Sequence, residues 1–519
     1  MNNIPNRGHL RALVAIMAIG LLIRILTFHG TVGADDLSIA DHAIGIVEHG
    51  LTIPQSHYSL RTGITIPLAG IFAVFGVGEL QLAILPFTFS LLGIYLAYQI
   101  GRHIAGHEVG LLSSLLLAIY PLDVLYSTRL FPDLPLGVTL ALSFYLALKA
   151  RESKCSKAYL IASGVVWGYA YLIKVEAVFM GLVFVAMALY DRAFWRQILF
   201  IILIFGAVVL AENIVYFINT GDILYRLQVI KKISMKASKE YSMSQLWIFP
   251  KAWFITFYEF GLYYYFLFIA SAWAVVKRQK VLYLPLIWVS VYLIWLEFGT
   301  GNPFAPIYSP KSHLLRYCVM INVPVVIIIG YFIWKIGILH KRFIQIIVVV
   351  LLLLPAIFFI QFNTLSSERE TATKLGSRYA LEHNLFPLYM DKTSYDIASF
   401  LLYGTKEQKK IFSFQHHNFK TGKTRMISLD NKKGYLLVNK AFMKFKTRRY
   451  YMKQLDVEYL KSNYEVLFAV NNPMHKTAYL EAKLLSFFSS LIPIDFIREK
   501  IGHTASEILE GEDILIFQL

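Results

Sequence analysis

The sequence predicts an α-helical protein that crosses a membrane about eleven times and ends in a small α/β domain outside it. Two juxtamembrane helices are expected in its first outer loop. Three observations predict this. The chain of 519 residues is 57% hydrophobic and only 16% charged, where a soluble globular protein carries about a quarter charged residues. Its apolar residues fall into runs, mostly near the ~20 residues a helix needs to span a bilayer. Its basic residues collect in the short loops between alternate runs, as the positive-inside rule requires. That placement accounts for much of the net charge of +17 without a nucleic-acid partner.

The first span covers residues 10–28, and Arg24 near its outer end is expected to snorkel to the interface. Arg7, His9 and Arg11 ahead of the long apolar stretch imitate a signal peptide, but no small-residue cleavage site follows, so the span, whose second residue is Arg11, reads as uncleaved. Residues 29–78 form the first outer loop. Leu37, Ala40, Ile44 and Val47 recur there at helical spacing, with Gly50 as a stop. Residues 64–75 are apolar but short, and broken by Pro67 and Gly70, so both stretches read as helices along the membrane surface.

Parity tests that choice. The remaining spans fall at 80–100, 109–125, 134–150, 158–173, 177–190, 197–217, 254–276, 281–296, 315–334 and 343–361. Every inner loop is then basic: Arg102 and His103; Arg151, Lys154 and Lys157; Arg192 and Arg196; Lys277, Arg278 and Lys280; Lys335, Lys341 and Arg342. Counting 64–75 as a span would put them all outside. The outer loop 219–253 carries Lys231, Lys232, Lys236 and Lys239, available to anionic headgroups or a phosphate. Cys155 and Cys318 fall at opposite ends of this topology, which argues against a disulfide framework or a thiolate metal site.

The membrane domain is thus 1–362, with the polar domain at 363–519. Strands are expected near 410–414, 435–439, 464–470 and 514–518, and helices near 395–403 and 476–489.

Residues suited to chemistry collect on the outer side. Asp35 and Asp36 open the first juxtamembrane helix, where they either cap it or divide labour as proton acceptor and orienting group. Tyr58 and Arg61 open the second; an Arg at headgroup level holds a phosphate bidentately or simply anchors the helix. The turn 120–133 carries Asp123, Arg129 and Asp133, where Asp133 caps the next span with Arg129 as local partner, or both belong to a site. Lys174 and Glu176 form a charged pair in the next outer turn. Lys311, His313, Arg316 and Tyr317 open a late span, where Arg316 slightly inside the bilayer either snorkels to the interface or is buried against a phosphate or carboxylate that offsets its cost. No Walker-type loop, zinc-spaced Cys/His set or nucleophile elbow is present, so ATP or a nucleotide sugar has no motif to bind it. Two carboxylates permit a divalent metal ion without demanding one.

Taken in order and by membrane side, these features resemble the GT-C glycosyltransferases. More narrowly they resemble the dolichyl-phosphate-mannose–protein mannosyltransferases and the bacterial lipid A aminoarabinose transferases, a glycosyltransferase family 39-like group. The resemblance covers residues 10–339. It rests on the acidic pair after span one, the two juxtamembrane helices, Gly101-Arg102, the Tyr120-Pro121, Ser127-Thr128 and Pro132-Asp133 pairs, and the run from His313 to Tyr317.

The resemblance implies inverting transfer of a sugar from a polyprenyl phosphate (undecaprenyl or dolichyl) to an acceptor hydroxyl on a glycan, lipid or protein. It implies Asp35 as general base, with Asp36 where the mannosyltransferases have Glu. Arg61 then holds the donor phosphate at a position often Lys. Arg129 and Asp133 match polar residues of the third-to-fourth span turn, Asp133 joining Asp35 and Asp36 as a catalytic candidate, and Lys311, His313 and Arg316 bind the lipid phosphate or shape the site. Tyr58, Lys174, Glu176 and Tyr317 are candidate substrate contacts. The C-terminal domain departs from the β-trefoil of the eukaryotic enzymes; acceptor recognition is one role for it. The absence of an Asn-x-Ser/Thr sequon favours a bacterial inner membrane, with the N-terminus cytoplasmic. Two alternatives stay open. A flippase of polyprenyl-linked sugars would place its charges near the midplane rather than at one face. A glycan polymerase or ligase would use a diphosphate-linked donor.

Overall fold

The computed structural model describes residues 7–152, 156–237, 247–300, 313–340, 342–366, 369–418, 423–426, 432–439, 457–471 and 513–519. Contacts divide the chain into two compact units. One comprises Met1–Phe28, Ile39–Phe75 and Ala83–Gln361; the other comprises His29–Ser38, Gly76–Leu82 and Phe362–Leu519.

The helices run in order as α1 (Arg7–Leu26), α2 (Asp35–His49), α3 (Thr62–Phe75), α4 (Glu79–Ala105), α5 (His107–Ala118), α6 (Pro121–Tyr126), α7 (Asp133–Glu152), α8 (Ser156–Ile173), α9 (Met180–Tyr190) and α10 (Trp195–Thr220). They continue as α11 (Tyr225–Ala237), α12 (Ile248–Ile255), α13 (Phe257–Phe260), α14 (Tyr263–Val276), α15 (Tyr283–Phe298), α16 (Asn322–His340) and α17 (Arg342–Ser366). Among the described residues, seven helical segments are long and apolar enough to cross a membrane: Arg7–Leu26, Glu79–Ala105, Asp133–Glu152, Arg192–Thr220, Lys280–Phe298, Leu315–Ile338 and Arg342–Gln361. Thr62–Phe75, His107–Ala118, Val175–Tyr190 and Tyr263–Val276 are shorter apolar helices.

Two expected spans are built from pieces. The stretch 109–125 divides because α5 ends at Ala118 and Pro121, which has no N–H to donate, opens α6. The stretch 254–276 divides at Thr256 and at Gly261, whose φ of 57° is left-handed. Both juxtamembrane stretches are helical, as α2 and α3.

Arg24 corrects the sequence reading. It does not snorkel. Its residue is 0% exposed, and the guanidinium donates to Ser90 Oγ (2.7 Å), Gly20 O (2.9 Å), Ala118 O (3.0 Å) and Asp123 Oδ1 (2.7 Å). Ser90 also donates to Asp123, and Asn322 Nδ2 reaches Asp123 Oδ2 at 3.3 Å. One buried carboxylate thereby ties α1, α4, α6 and α16 together. A charge that is paired and hydrogen-bonded on this scale can stay inside an apolar bundle, which is why the long side chain turns inward.

The second unit contains α18 (Arg369–Glu382), α19 (Lys392–Leu401) and α20 (Val457–Asn463) around a five-stranded sheet. Its strands are β1 (Leu388–Met390), β2 (Ile411–Ser413), β5 (Tyr435–Asn439), β6 (Glu465–Asn471) and β7 (Asp513–Gln518), in the order β2-β1-β5-β7-β6. A separate hairpin pairs β3 (Gln415–Asn418) with β4 (Lys423–Met426). β1 runs parallel to β2 and β5, while β7 is antiparallel to β5 and β6. Alternation along β5 feeds both faces: Leu437 packs with Leu388, Met390, Ala398 and Ile516, while Leu436 and Val438 pack with Phe414, Leu460 and Phe517. The four expected strands are present, and α19 occupies most of the helix expected at 395–403. The helix expected at 476–489 lies outside the described residues.

Asp391 caps α19 by accepting from Thr393 N (2.9 Å) and Ser394 N (3.1 Å). Its second oxygen is buried without a partner among the described residues. Burial raises this carboxyl above the ordinary Asp range, outweighing the hydrogen bonds from Ser394 and Thr393. A raised folded-state value favours the protonated form, so its stabilisation is fully present below the unfolded pKa and is lost as pH rises through the folded one. Asp391→Asn, which cannot ionise, should therefore gain stability over wild type as pH rises toward neutral. Thermal midpoints of the two proteins between about pH 4 and about pH 7.5 check this, and a constant offset would refute it.

Candidate active site

In the membrane unit, the charges flagged singly along the sequence converge on Asp133, the first residue of α7, which is 1% exposed. Lys174 Nζ, from the turn after α8, lies 2.7 Å from Asp133 Oδ1 and 3.4 Å from Glu176 Oε1. The same ammonium stands 4.1 Å from the centre of the Tyr317 ring. Arg316 Nε approaches Asp133 Oδ2 at 3.5 Å, and its guanidinium carbon lies 4.3 Å from the Phe131 ring. Burial pulls the Lys174 pKa down, but Asp133 and Glu176 outweigh it and the net shift is upward. The lysine is thus a fixed cation. Asp133 takes its described ion-pair partners from Lys174 and Arg316 rather than from Arg129.

Backbone approach creates this convergence. Arg316 and Tyr317 sit on the 3-10 segment Leu315–Ile321 that leads into α16. Gly137, one turn along α7 from Asp133, faces it so closely that a Cβ would lie 2.8 Å from Met320 Cα and Met320 O. Only glycine permits that contact without a shift. Gly63 does the same for α3, where a Cβ would lie 2.9 Å from Ile173 N. Tyr169 Oη donates to Gly63 O at 2.7 Å, fixing α3 on α8. Arg61 and Lys174 therefore leave this one contact on neighbouring segments.

Three guanidinium nitrogens here are poorly served. Arg61 Nη1, Arg129 Nε and Arg129 Nη2 are buried without a hydrogen-bond partner among the described residues. Arg61 stacks by Tyr58, with 5.3 Å between guanidinium carbon and ring centre, and Arg129 lies 6.0 Å from Tyr126. Burial, then Glu259, raises the Tyr126 hydroxyl well above its ordinary value, against the pull of Arg129 and Arg316. The phenol stays protonated. Nearby, Glu297 accepts the backbone N–H groups of Trp247 and Phe249, and its Oε2 is 3.7 Å from His313 Nε2. Burial lowers the His313 pKa although Glu297 opposes it, so the imidazole is neutral at pH 7 and offers a hydrogen bond rather than a charge. Lys311 lies outside the described residues.

The acidic pair belongs to the other unit and is divided in its roles. Asp36 is 0% exposed and accepts Val32 N (2.7 Å) and Thr31 Oγ1 (2.8 Å) on Oδ2 and Ala34 N (2.7 Å) on Oδ1. These donors precede it, so it staples the approaching loop and does not cap α2 in the usual forward sense. Asp35, the first residue of α2, is half-buried.

Sequence reasoning missed the Arg24–Asp123 network and the Glu297–His313 pair. A lone Arg in an apolar run, and a Glu at the end of one, were the available signals. Among the described residues no three His, Cys, Asp or Glu side chains come together to hold a metal ion.

The fold has solved counterparts. ArnT from Cupriavidus metallidurans in the apo state superposes with a TM-score of 0.51 at 14% identity, over 75% of this chain and 74% of that one. The archaeal oligosaccharyltransferase AglB from Archaeoglobus fulgidus, in complex with an inhibitory peptide and a dolichol-phosphate, gives 0.51 at 10% identity, over 99% of this chain and 88% of that one. A family model described as dolichyl-phosphate-mannose-protein mannosyltransferase matches residues 66–216, a stretch that includes Asp133, Lys174 and Glu176. No curated protein matches the chain. The chain thus shares its fold with these two proteins.

Proposed function

We propose that the protein moves a sugar from a polyprenyl-phosphate donor to an acceptor hydroxyl at the outer face of a bacterial inner membrane, inverting the anomeric carbon. The N-terminus lies in the cytoplasm, and the domain 363–519 lies outside with the acidic pair. Asp35 takes the proton as the acceptor O–H bond breaks and the oxygen bonds the anomeric carbon. The bond from that carbon to the phosphate oxygen breaks, and its electron pair leaves with the polyprenyl phosphate.

The donor phosphodiester carries one negative charge and the departing monoester two. Cations therefore bind the transition state more strongly than the ground state, and no general acid is needed. One observation carries this reading: the buried guanidinium nitrogens of Arg61 and Arg129 that lack acceptors among the described residues. A phosphate would supply them, and it would also offset the cost of burying those groups. Arg316 and Lys311 add charge, His313 a hydrogen bond, and Asp133 with Lys174 and Glu176 holds Arg316 in place. Asp36 shapes the loop that presents Asp35. AglB, which shares the fold, is solved with a dolichol-phosphate, in keeping with such a donor.

The test is transfer of radiolabelled sugar by the purified protein in proteoliposomes loaded with polyprenyl-phosphate sugars. Wild type should transfer from a monophosphate donor, and Asp35→Asn should be slower by about 10³-fold with donor binding retained. Transfer undiminished in Asp35→Asn moves the base elsewhere. Use of diphosphate donors alone would point to a polymerase or ligase, and sugar crossing the bilayer without transfer to a flippase.

A further inference from the structure

The loop that carries the acidic pair is built into the C-terminal domain. Lys374, on α18 and 6% exposed, pairs with Glu79 at the start of α4 and donates to His29 O at 2.7 Å. Glu79 Oε1 accepts Thr31 N at 3.1 Å, and Arg378 Nη2 lies 3.5 Å from its other oxygen. Thr31, 0% exposed, donates to Asp36, whose carboxylate closes the turn through Val32 N and Ala34 N. Gly33, with a φ of 71°, presses on α19 so closely that a Cβ would lie 2.8 Å from Ile397 Cγ1 and 3.3 Å from Thr393 Cγ2. The anchor is itself fixed, since Asn439 of β5 donates to Thr373 Oγ1 at 2.8 Å, one residue before Lys374.

We infer that the C-terminal domain holds the catalytic-base loop in its working geometry, with Lys374 and Glu79 as positioning residues that act on Asp35 through Thr31 and Asp36. This rests on the proposed role of Asp35. It gives the domain a duty in the chemical step that acceptor recognition alone would not require. A loop of this kind reaches its geometry only if both ends and its middle are held. Here the ion pair holds the start of the loop through His29 O and Thr31 N, α2 begins at its other end, one carboxylate closes the middle, and one glycine contact fixes its back. Misplacing a base by about 1 Å is enough to cost about 10²-fold in rate.

The experiment uses the full chain in nanodiscs, with two readouts: amide hydrogen exchange over residues 29–38, and steady-state transfer. In Lys374→Met the Val32 and Ala34 amides should exchange at least about tenfold faster while β5 and β7 exchange as in wild type. The turnover number should fall about tenfold to about a hundredfold with the donor KM held within about twofold, because the donor site is untouched. Lys374→Arg should recover both. Unchanged exchange over 29–38 in Lys374→Met overturns the inference, as does a loss that appears only in KM. If Lys374→Met also loosens the sheet, Gly33→Val decides, since it pushes the loop off Ile397 and leaves the ion pair intact. It must show the same local acceleration and drop in turnover, and wild-type values for it overturn the inference equally. Should wild type transfer no sugar from any donor, the catalytic role of Asp35 fails separately, and the exchange pattern alone decides whether the domain holds the loop.

Discussion

Lys174→Met should remove transfer by about 10³-fold and lower the stability of the membrane unit by about 3–5 kcal/mol, the usual cost of breaking a buried ion pair from one side. The lysine contacts both Asp133 and Glu176, which are 1% and 8% exposed. Deleting it removes the cation shared by two carboxylates in a low-dielectric interior, where Arg316 lies 3.5 Å from Asp133. Arg316 would be drawn toward the carboxylates and away from the donor. A second variant separates folding from catalysis: Lys174→Met combined with Asp133→Asn and Glu176→Gln removes the stranded charge. It should recover most of the stability and none of the activity. Thermal unfolding in nanodiscs and the transfer assay read the two effects. A single variant with a wild-type midpoint would mean that water reaches the cluster, and the argument from burial would fall.

Arg24→Met should be comparably damaging to folding, by about 3–5 kcal/mol, because it breaks a buried ion pair from one side and leaves Asp123, among the described residues, the hydroxyl of Ser90 and the amide of Asn322. Here the rescue is expected to be better than partial. Methionine at 24 with leucine at 123 replaces a paired charge by apolar contact in an apolar bundle, and such exchanges are often neutral or stabilising. The decisive comparison is between the single and double variants by thermal midpoint. A double variant no better than Arg24→Met would show that the arginine acts through its contacts to Gly20 and Ala118 rather than through Asp123. Activity adds a second reading, since Asp123 fixes α6, and α6 leads into the turn that carries Arg129.

Much of this was legible in the sequence, and the reasons for the remainder are physical. Hydropathy located the apolar helices because burial in lipid is a strong, local and periodic constraint. The strands at 435–439 and 514–518 were readable from β-branched and aromatic runs. β1 is three residues long, too short to show a period. Asp133, Lys174, Glu176 and Arg316 each stood out as a charge at a membrane edge. Their convergence did not, because it depends on how α7, α8 and a 3-10 segment pack. Arg24 was misread because apolar neighbours look alike whether a side chain faces lipid or a buried carboxylate. Asp35 and Asp36 were indistinguishable as letters. Only the three donors gathered on Asp36 separate a loop staple from the residue beside it.

The contact of Gly137 with Met320 also sets a register. Asp133 lies four positions before that glycine, and Arg316 four before that methionine. The two charges are thus counted off along two strands of a ruler from a single pin. Inserting or deleting one residue in the α7 interval would turn its carboxylate by about 100° around the helix axis, away from its partners. Side chains at this site can be exchanged at a graded cost. The lengths of these two intervals cannot, so loops on either side are free to vary while the eight intervening steps are not.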